Sequence, residues 1–82
     1  MITVNVKLFG PLKDILHADE VKVNVSPPYN GEAAFNALAE MYPELRAWKS
    51  SVRLAVNLEY TSFDRTLTSG DEISFIPPVS GG

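Results

Sequence analysis

The final residues of the sequence are the ones whose types and spacing suggest chemistry. The sequence closes with two prolines, a two-residue link and two glycines, namely Pro77, Pro78, Val79, Ser80, Gly81 and Gly82. The prolines prevent a strand from continuing and hold the backbone extended. Glycine has no Cβ atom, so the last residues are narrow enough to enter a tunnel in another protein. We therefore expect a folded domain over residues 1–76 and a flexible Gly-Gly tail over residues 77–82, with a frayed chain end as the structural alternative.

The chemistry open to such a tail lies in the carboxyl group of Gly82. A free carboxylate resists nucleophilic attack because its charge repels the nucleophile and an oxide leaves poorly. An adenylating partner would convert it to an acyl-AMP anhydride. Attack by a sulfur donor would then give a thiocarboxylate, a soft nucleophile suited to delivering sulfur to a small molecule. A carrier of this kind needs no thiol of its own, and the sequence contains no cysteine.

The side chains give little indication of an enzyme. His17 is the only histidine, and Ser50-Ser51 lack a neighbouring base and an oxyanion-hole motif. Asp64, Asp71 and Glu72 could be imagined as paired carboxylates, but turn and strand-start roles explain them better. The sequence also lacks a Walker motif, a dinucleotide fingerprint and metal-ligand spacing. We therefore expect no catalytic residue, no metal and no intrinsic cofactor in this chain.

Charge and hydropathy limit the partners. Seven Lys and Arg residues against ten Asp and Glu residues give a formal net charge of −3, and no basic run offers phosphates a surface to bind. Nucleic acid is therefore not an expected partner. Met1 is followed at once by alternating apolar and polar residues, without a signal peptide or a spanning segment. We expect a cytoplasmic protein that does not contact membranes.

Period-two alternation of apolar residues predicts the strands. It is clearest over residues 2–8, recurs over residues 21–25 and 52–56, and returns in the last strand, residues 72–76. Pro27-Pro28 terminates the second strand. A tight connection after the third strand is predicted to lead into a very short additional strand.

The helices follow from capping residues and a longer period. Pro11 is suited to open a short helical turn. Asn30 can cap a longer helix, which should end near Pro43. Its apolar residues fall at i, i+3, i+4 and i+7, namely Phe35, Leu38, Ala39 and Tyr42. A further brief turn is expected over residues 44–48.

The order of these elements predicts an α+β fold. A single substantial helix among about five strands favours a mixed sheet covered on one face by that helix, and the ubiquitin-like β-grasp arrangement fits this order. In a β-grasp the first and last strands are parallel neighbours at the centre of the sheet. The end of the last strand then emerges beside the end of the first.

Strand parity identifies a surface at the base of the tail. Phe9 is in phase with the polar residues of the first strand, so its side chain should point away from the helix-covered core. Ile76 has the same outward phase in the last strand, and Tyr60 could extend the surface. We call Phe9, Tyr60 and Ile76 the docking patch and expect a partner to bind there, although single exposed apolar residues are also common on surfaces.

The chain resembles a known family most closely in its second half, AVNLEYTSFDRTLTSGDEISFIPPVSGG. Ala55-Val56-Asn57, the run LTSGDE over residues 67–72 and the tail are similar, in order and spacing, to the small, sulfur-carrying subunits of molybdopterin synthase, the MoaD/ThiS family of ubiquitin-like proteins. The segments KLF at residues 7–9 and LKDIL at residues 12–16 match more loosely. Gly10-Pro11 and Pro27-Pro28 depart from the family pattern.

The resemblance implies a cycle in which Gly82 is adenylated by a MoeB-like activating enzyme that uses ATP. A sulfur donor protein would then supply the sulfur of the thiocarboxylate. The tail, residues 77–81, would thread into the active site of a MoaE-like large subunit, where sulfur passes to cyclic pyranopterin monophosphate to build the molybdopterin dithiolene. The resemblance further implies a heterotetramer of two small and two large subunits, catalytic groups in the large subunit alone, and docking through Phe9, Tyr60 and Ile76.

Two other functions share these features. A ThiS-like carrier for thiazole synthesis would have the same fold and the same Gly-Gly end. A ubiquitin-like protein modifier, or an interaction module with an idle tail, belongs to a different functional class. A pure binding module would keep its activity after deletion of Gly81 and Gly82, whereas a carrier would not.

Overall fold

The computed structural model describes residues 1–78, so the predictions for Val79, Ser80, Gly81 and Gly82 lie outside the described residues. The elements within that range follow the predicted order. They are β1 (Ile2–Leu8), α1 (Pro11–Leu16), β2 (Glu20–Val25), α2 (Gly31–Met41), a 3₁₀ helix (Pro43–Trp48), β3 (Arg53–Val56), β4 (Glu59–Thr61) and β5 (Glu72–Ile76).

The strands form one mixed sheet in the order β2-β1-β5-β3-β4. β1 and β5 are parallel, whereas the β1–β2, β3–β5 and β3–β4 pairs are antiparallel. The last strand therefore occupies the centre of the sheet and lies between the first strand and β3. This topology, with α2 against the sheet, confirms the predicted ubiquitin-like β-grasp.

The core lies between the sheet and α2. Alternate residues of β1 and β5 are buried on the helix side, including Val6, Leu8, Ile73 and Phe75. The Phe75 ring meets the Phe35 ring of α2 edge to face, with 5.1 Å between centroids. Each fully buried apolar side chain of this size contributes about 1.5–3 kcal/mol relative to exposure. Because buried and less buried side chains alternate along these strands, one face of the sheet packs against α2 and the other face points away from the core.

The start of α2 has the predicted cap. The Asn30 side-chain oxygen accepts a hydrogen bond from the Ala33 N–H at 2.9 Å, which satisfies one of the free donors of the first turn. Glu32, which lies in the same turn of α2, donates its backbone N–H to the Phe63 carbonyl oxygen at 3.0 Å. The helix is therefore fixed at its first turn to the loop that leads towards β5.

A network of hydrogen bonds closes the sheet at the end away from the tail. Asn57 has a positive φ of 49° in the turn between β3 and β4. Its side chain donates to Asp71 Oδ1 at 3.1 Å and accepts from the Glu72 N–H at 3.1 Å. Asp71 also accepts from the Thr68 N–H at 2.8 Å. These contacts confirm the structural roles predicted for Asp71 and Glu72.

Gly31, the first residue of α2, lies directly against Leu54 of β3. A Cβ atom at this position would overlap Leu54 Cδ2 and lie 3.2 Å from the Phe63 carbonyl oxygen. Leu54 is buried, so its side chain has little room to move away. A glycine is therefore needed here for packing.

Replacing Gly31 should test this packing. We expect Gly31→Ala to lower the free energy of unfolding by about 1–3 kcal/mol, because overpacking outweighs the better helix propensity of alanine. Chemical denaturation measures the change. Asn36→Ala, at an exposed position of the same helix, is the control and should change stability by no more than about 0.5 kcal/mol. A neutral Gly31→Ala would show that the helix and sheet can move apart without cost.

Candidate functional site

The ends of β1 and β5 meet at the base of the tail. Leu8 pairs with Phe75 in the parallel register, Phe9 directly follows β1, and Ile76 is the last residue of β5. Gly10, with φ of 54°, turns the chain away from β1, and a Cβ atom built on it would lie 3.5 Å from Pro77 Cγ. The central parallel pair thus places the first residue of the tail beside the end of β1.

The structure confirms the outward orientation predicted for Phe9 and Ile76. Phe9 and Tyr60 are 46% and 63% exposed, respectively. Ile76 is half-buried, while its neighbour Phe75 is fully buried on the opposite face. Whether a partner binds these three residues remains a prediction.

The three residues of the docking patch do not share one depression. Tyr60 and Ile76 line an open cleft of about 590 Å³, together with residues 50–53 and Pro77-Pro78. We call this depression the root cleft. Phe9 instead lines a shallower depression on the other side of the β1–β5 pair, with Lys7 and Lys13 among its neighbours. The docking patch therefore has two parts, with Tyr60 and Ile76 at the root cleft and Phe9 at the other depression.

Sequence reasoning missed the residue that completes this cleft. Arg53 pairs with Ile76 in the antiparallel register between β3 and β5, and its exposed side chain lines the root cleft. Parity alone places Arg53 on the outward face, since Leu54 and Val56 point inward. The pairing of β3 with β5, which brings Arg53 beside the tail, is not visible in the sequence.

The other polar residues considered for chemistry have structural surroundings. His17 is exposed at the end of α1 with φ of 56°, and Asp64 accepts a hydrogen bond from the Ser62 hydroxyl. Ser50 and Ser51 are exposed after the 3₁₀ helix and line the root cleft. Within residues 1–78, no three His, Cys, Asp or Glu side chains cluster as metal ligands would.

None of the helices in the described part of the chain combines the length and hydropathy that crossing a membrane requires.

Comparison with known proteins identifies the relatives of this chain. The model of the ThiS family matches residues 6–82, which include the whole tail. A protein from Dictyostelium discoideum named molybdopterin synthase sulfur carrier subunit is 35% identical over 80 residues, covering 92% of this chain and 91% of that protein.

Solved structures share the fold. Small archaeal modifier protein 1 from Methanosarcina acetivorans superposes with a TM-score of 0.85 at 25% identity, covering 100% of this chain and 98% of that one. A chain from the complex of subunits 1 and 2 of the molybdopterin-converting factor from Helicobacter pylori has a TM-score of 0.69 at 26% identity, covering 99% of this chain and all of that one. The family model matches nearly the whole length of this chain, and the chain has the β-grasp topology. This chain therefore belongs to the ThiS/MoaD family.

Proposed function

We propose that this protein is the sulfur carrier subunit of a molybdopterin synthase. The observation that carries the proposal is the family match, which continues through the two glycines to residue 82. The Dictyostelium relative named as such a subunit supports the choice of molybdopterin over other sulfur acceptors. The central position of β5 supports a carrier role, because the tail begins directly at a strand that is paired on both sides.

Gly82 would hold the transferred sulfur. Its carboxylate oxygen attacks the α-phosphorus of ATP on a MoeB-like enzyme, and pyrophosphate leaves. The outer sulfur of a persulfide on a sulfur donor protein then attacks the carbonyl carbon and expels AMP. A second thiol of the donor cleaves the resulting acyl persulfide, which leaves the thiocarboxylate on the carrier and a disulfide on the donor. The thiocarboxylate sulfur attacks a side-chain carbon of cyclic pyranopterin monophosphate in the large subunit and displaces an oxygen substituent from that carbon. Water then hydrolyses the acyl C–S bond of the resulting thioester, which leaves the sulfur on the pterin and restores the carboxylate of the carrier.

Chain geometry limits where this chemistry can take place. An extended residue spans at most about 3.3–3.6 Å, so the six residues after Ile76 span about 20 Å. The reacting carbon of Gly82 must lie within that distance of the docking patch. A partner that binds Phe9, Tyr60 and Ile76 would therefore have its active site at the end of a tunnel up to about 20 Å deep.

A MoaE-like large subunit is the partner that this arrangement fits best. The Helicobacter pylori structure contains subunit 1 together with subunit 2, and its similarity to this chain supports a two-component assembly. The apolar docking patch would be covered in the complex, and we propose two copies of each subunit. This chain would be the carrier, and the catalytic groups would belong to the large subunit.

A protein modifier is the second candidate. The similarity to small archaeal modifier protein 1 favours it, because the fold and the length of the two chains agree closely. In a modifier, a lysine amine would attack activated Gly82 and form an isopeptide. A ThiS-like carrier for thiazole synthesis would load sulfur in the same way and differ only in the acceptor.

Intact-mass spectrometry tests the loading of Gly82. We expect incubation with a MoeB-like enzyme, ATP and a sulfur source to replace one C-terminal oxygen by sulfur. A variant that lacks Gly82 should be neither adenylated nor loaded, since its new terminal residue would not reach the activating site. An unchanged mass in the presence of an activating enzyme that loads another carrier would contradict the proposal.

Binding to the large subunit tests the docking patch. Phe9→Glu should weaken binding by about tenfold or more, because a carboxylate would lose its hydration in an apolar contact. Isothermal titration calorimetry measures the change. Met41→Glu, on the exposed end of α2 at 59% exposure, is the matched control and should bind normally.

The fold of the Phe9 variant must be checked in the same experiment. Because Phe9 lies outside the core, Phe9→Glu should unfold within a few degrees of the parent protein. Loss of folding would show that its side chain had been assigned to the wrong face. Normal folding with unchanged binding would show that the partner does not bind the docking patch.

A further inference from the structure

The root cleft presents one charged side chain beside the tail. Arg53 pairs with Ile76 across the β3–β5 boundary, and its side chain lines the cleft with Tyr60 and Pro77-Pro78. The remaining lining residues are Ser50, Ser51 and Val52. A single guanidinium thus lies among apolar side chains and the three hydroxyl groups of Ser50, Ser51 and Tyr60.

The charges around Arg53 are unusual for this protein. The chain carries ten acidic residues against seven basic ones, yet none of the described residues that line the cleft is acidic. Four basic residues, Lys7, Lys13, Lys49 and Arg65, form ion pairs within residues 1–78. Arg53 forms none in that part of the chain, and neither do Lys22 and Arg46. Of these three, Arg53 alone lines the cleft at the base of the tail.

Docking would remove water from this guanidinium. A charge buried without a partner is costly, so a surface that covers the cleft must either avoid Arg53 or pair it. The planar guanidinium offers two parallel N–H donors that match both oxygens of a carboxylate. An acidic side chain next to an apolar one fits both Arg53 and its neighbour Ile76.

We propose that Arg53 binds a carboxylate of the large subunit, from an Asp or Glu side chain that enters the root cleft beside an apolar residue. This inference rests on the proposed function and deepens it by stating the chemistry of the partner surface. Arg53 would fix the orientation of the docked carrier at the side of Ile76 opposite Phe9. Two anchors on either side of the tail would aim it at one tunnel.

Charge changes at Arg53 test this inference in the full-length carrier with the purified large subunit. We expect Arg53→Gln to raise the Kd about tenfold and Arg53→Glu about a hundredfold, with a weaker salt dependence for Arg53→Gln. Arg46→Glu makes the same charge change in the 3₁₀ helix and should alter the Kd less than twofold. Circular dichroism should show that all variants fold, since Arg53 is exposed.

Reversal of charge on the partner distinguishes a direct pair from a general effect of charge. In the Arg53→Glu background, one Asp→Lys or Glu→Lys change in the large subunit should restore binding. An unchanged Kd for Arg53→Glu, with normal binding by the parent carrier, would overturn the inference and leave the proposed function intact. Tighter binding would also overturn it, and would indicate that Arg53 holds the terminal carboxylate of this chain instead. Failure of the parent carrier to bind would overturn both proposals.

Discussion

The parallel pairing of β1 with β5 fixes both the packing of the core and the point at which the tail begins. It places the last strand at the centre of the sheet, where Ile73 and Phe75 pack against α2 on one face. The same register brings Phe9 beside Ile76, and Gly10 close to Pro77. The tail therefore begins at a strand that is paired on both sides. A tail attached to an edge strand would begin from a backbone with only one neighbour.

Because of this arrangement, the inner face of the sheet stabilises the fold, whereas the outer face presents side chains at the surface. The inner face contributes to the free energy of unfolding through buried apolar contacts. The outer face near the tail is free to carry Phe9, Tyr60, Ile76 and Arg53, whose exposure costs the fold little. Under the proposed function, partners would recognise this outer face and act on Gly82. The chain would then need no catalytic side chain, because its reactive group would be its own carboxyl terminus.

Most of the fold could be predicted from the sequence, since local signals determine it. Period-two alternation located the strands, and Asn30 located the start of α2. Parity also gave the outward orientation of Phe9 and Ile76. Arg53 could not be placed beside the tail in this way, because its neighbour Ile76 is 23 positions away and the contact depends on how β3 pairs with β5. Similarly, the need for glycine at position 31 follows from the approach of Leu54 and Phe63, which only the folded chain reveals. Hydrophobic periodicity and capping residues can thus be recognised within one segment of the sequence. Clefts and close contacts form between segments, so they become visible only in the folded chain.

A single-turnover experiment can show directly whether Gly82 delivers sulfur to the pterin. The carrier, loaded as a thiocarboxylate with isotopically labelled sulfur, is mixed with the large subunit and cyclic pyranopterin monophosphate. We expect labelled dithiolene in a yield of about one per two carriers, together with carriers that have returned to the carboxylate form. Retention of the label on the carrier in the presence of an active large subunit would contradict the proposed function. Transfer of the carrier itself to lysine amines in that mixture would do so as well, and would assign the chain to the protein modifiers.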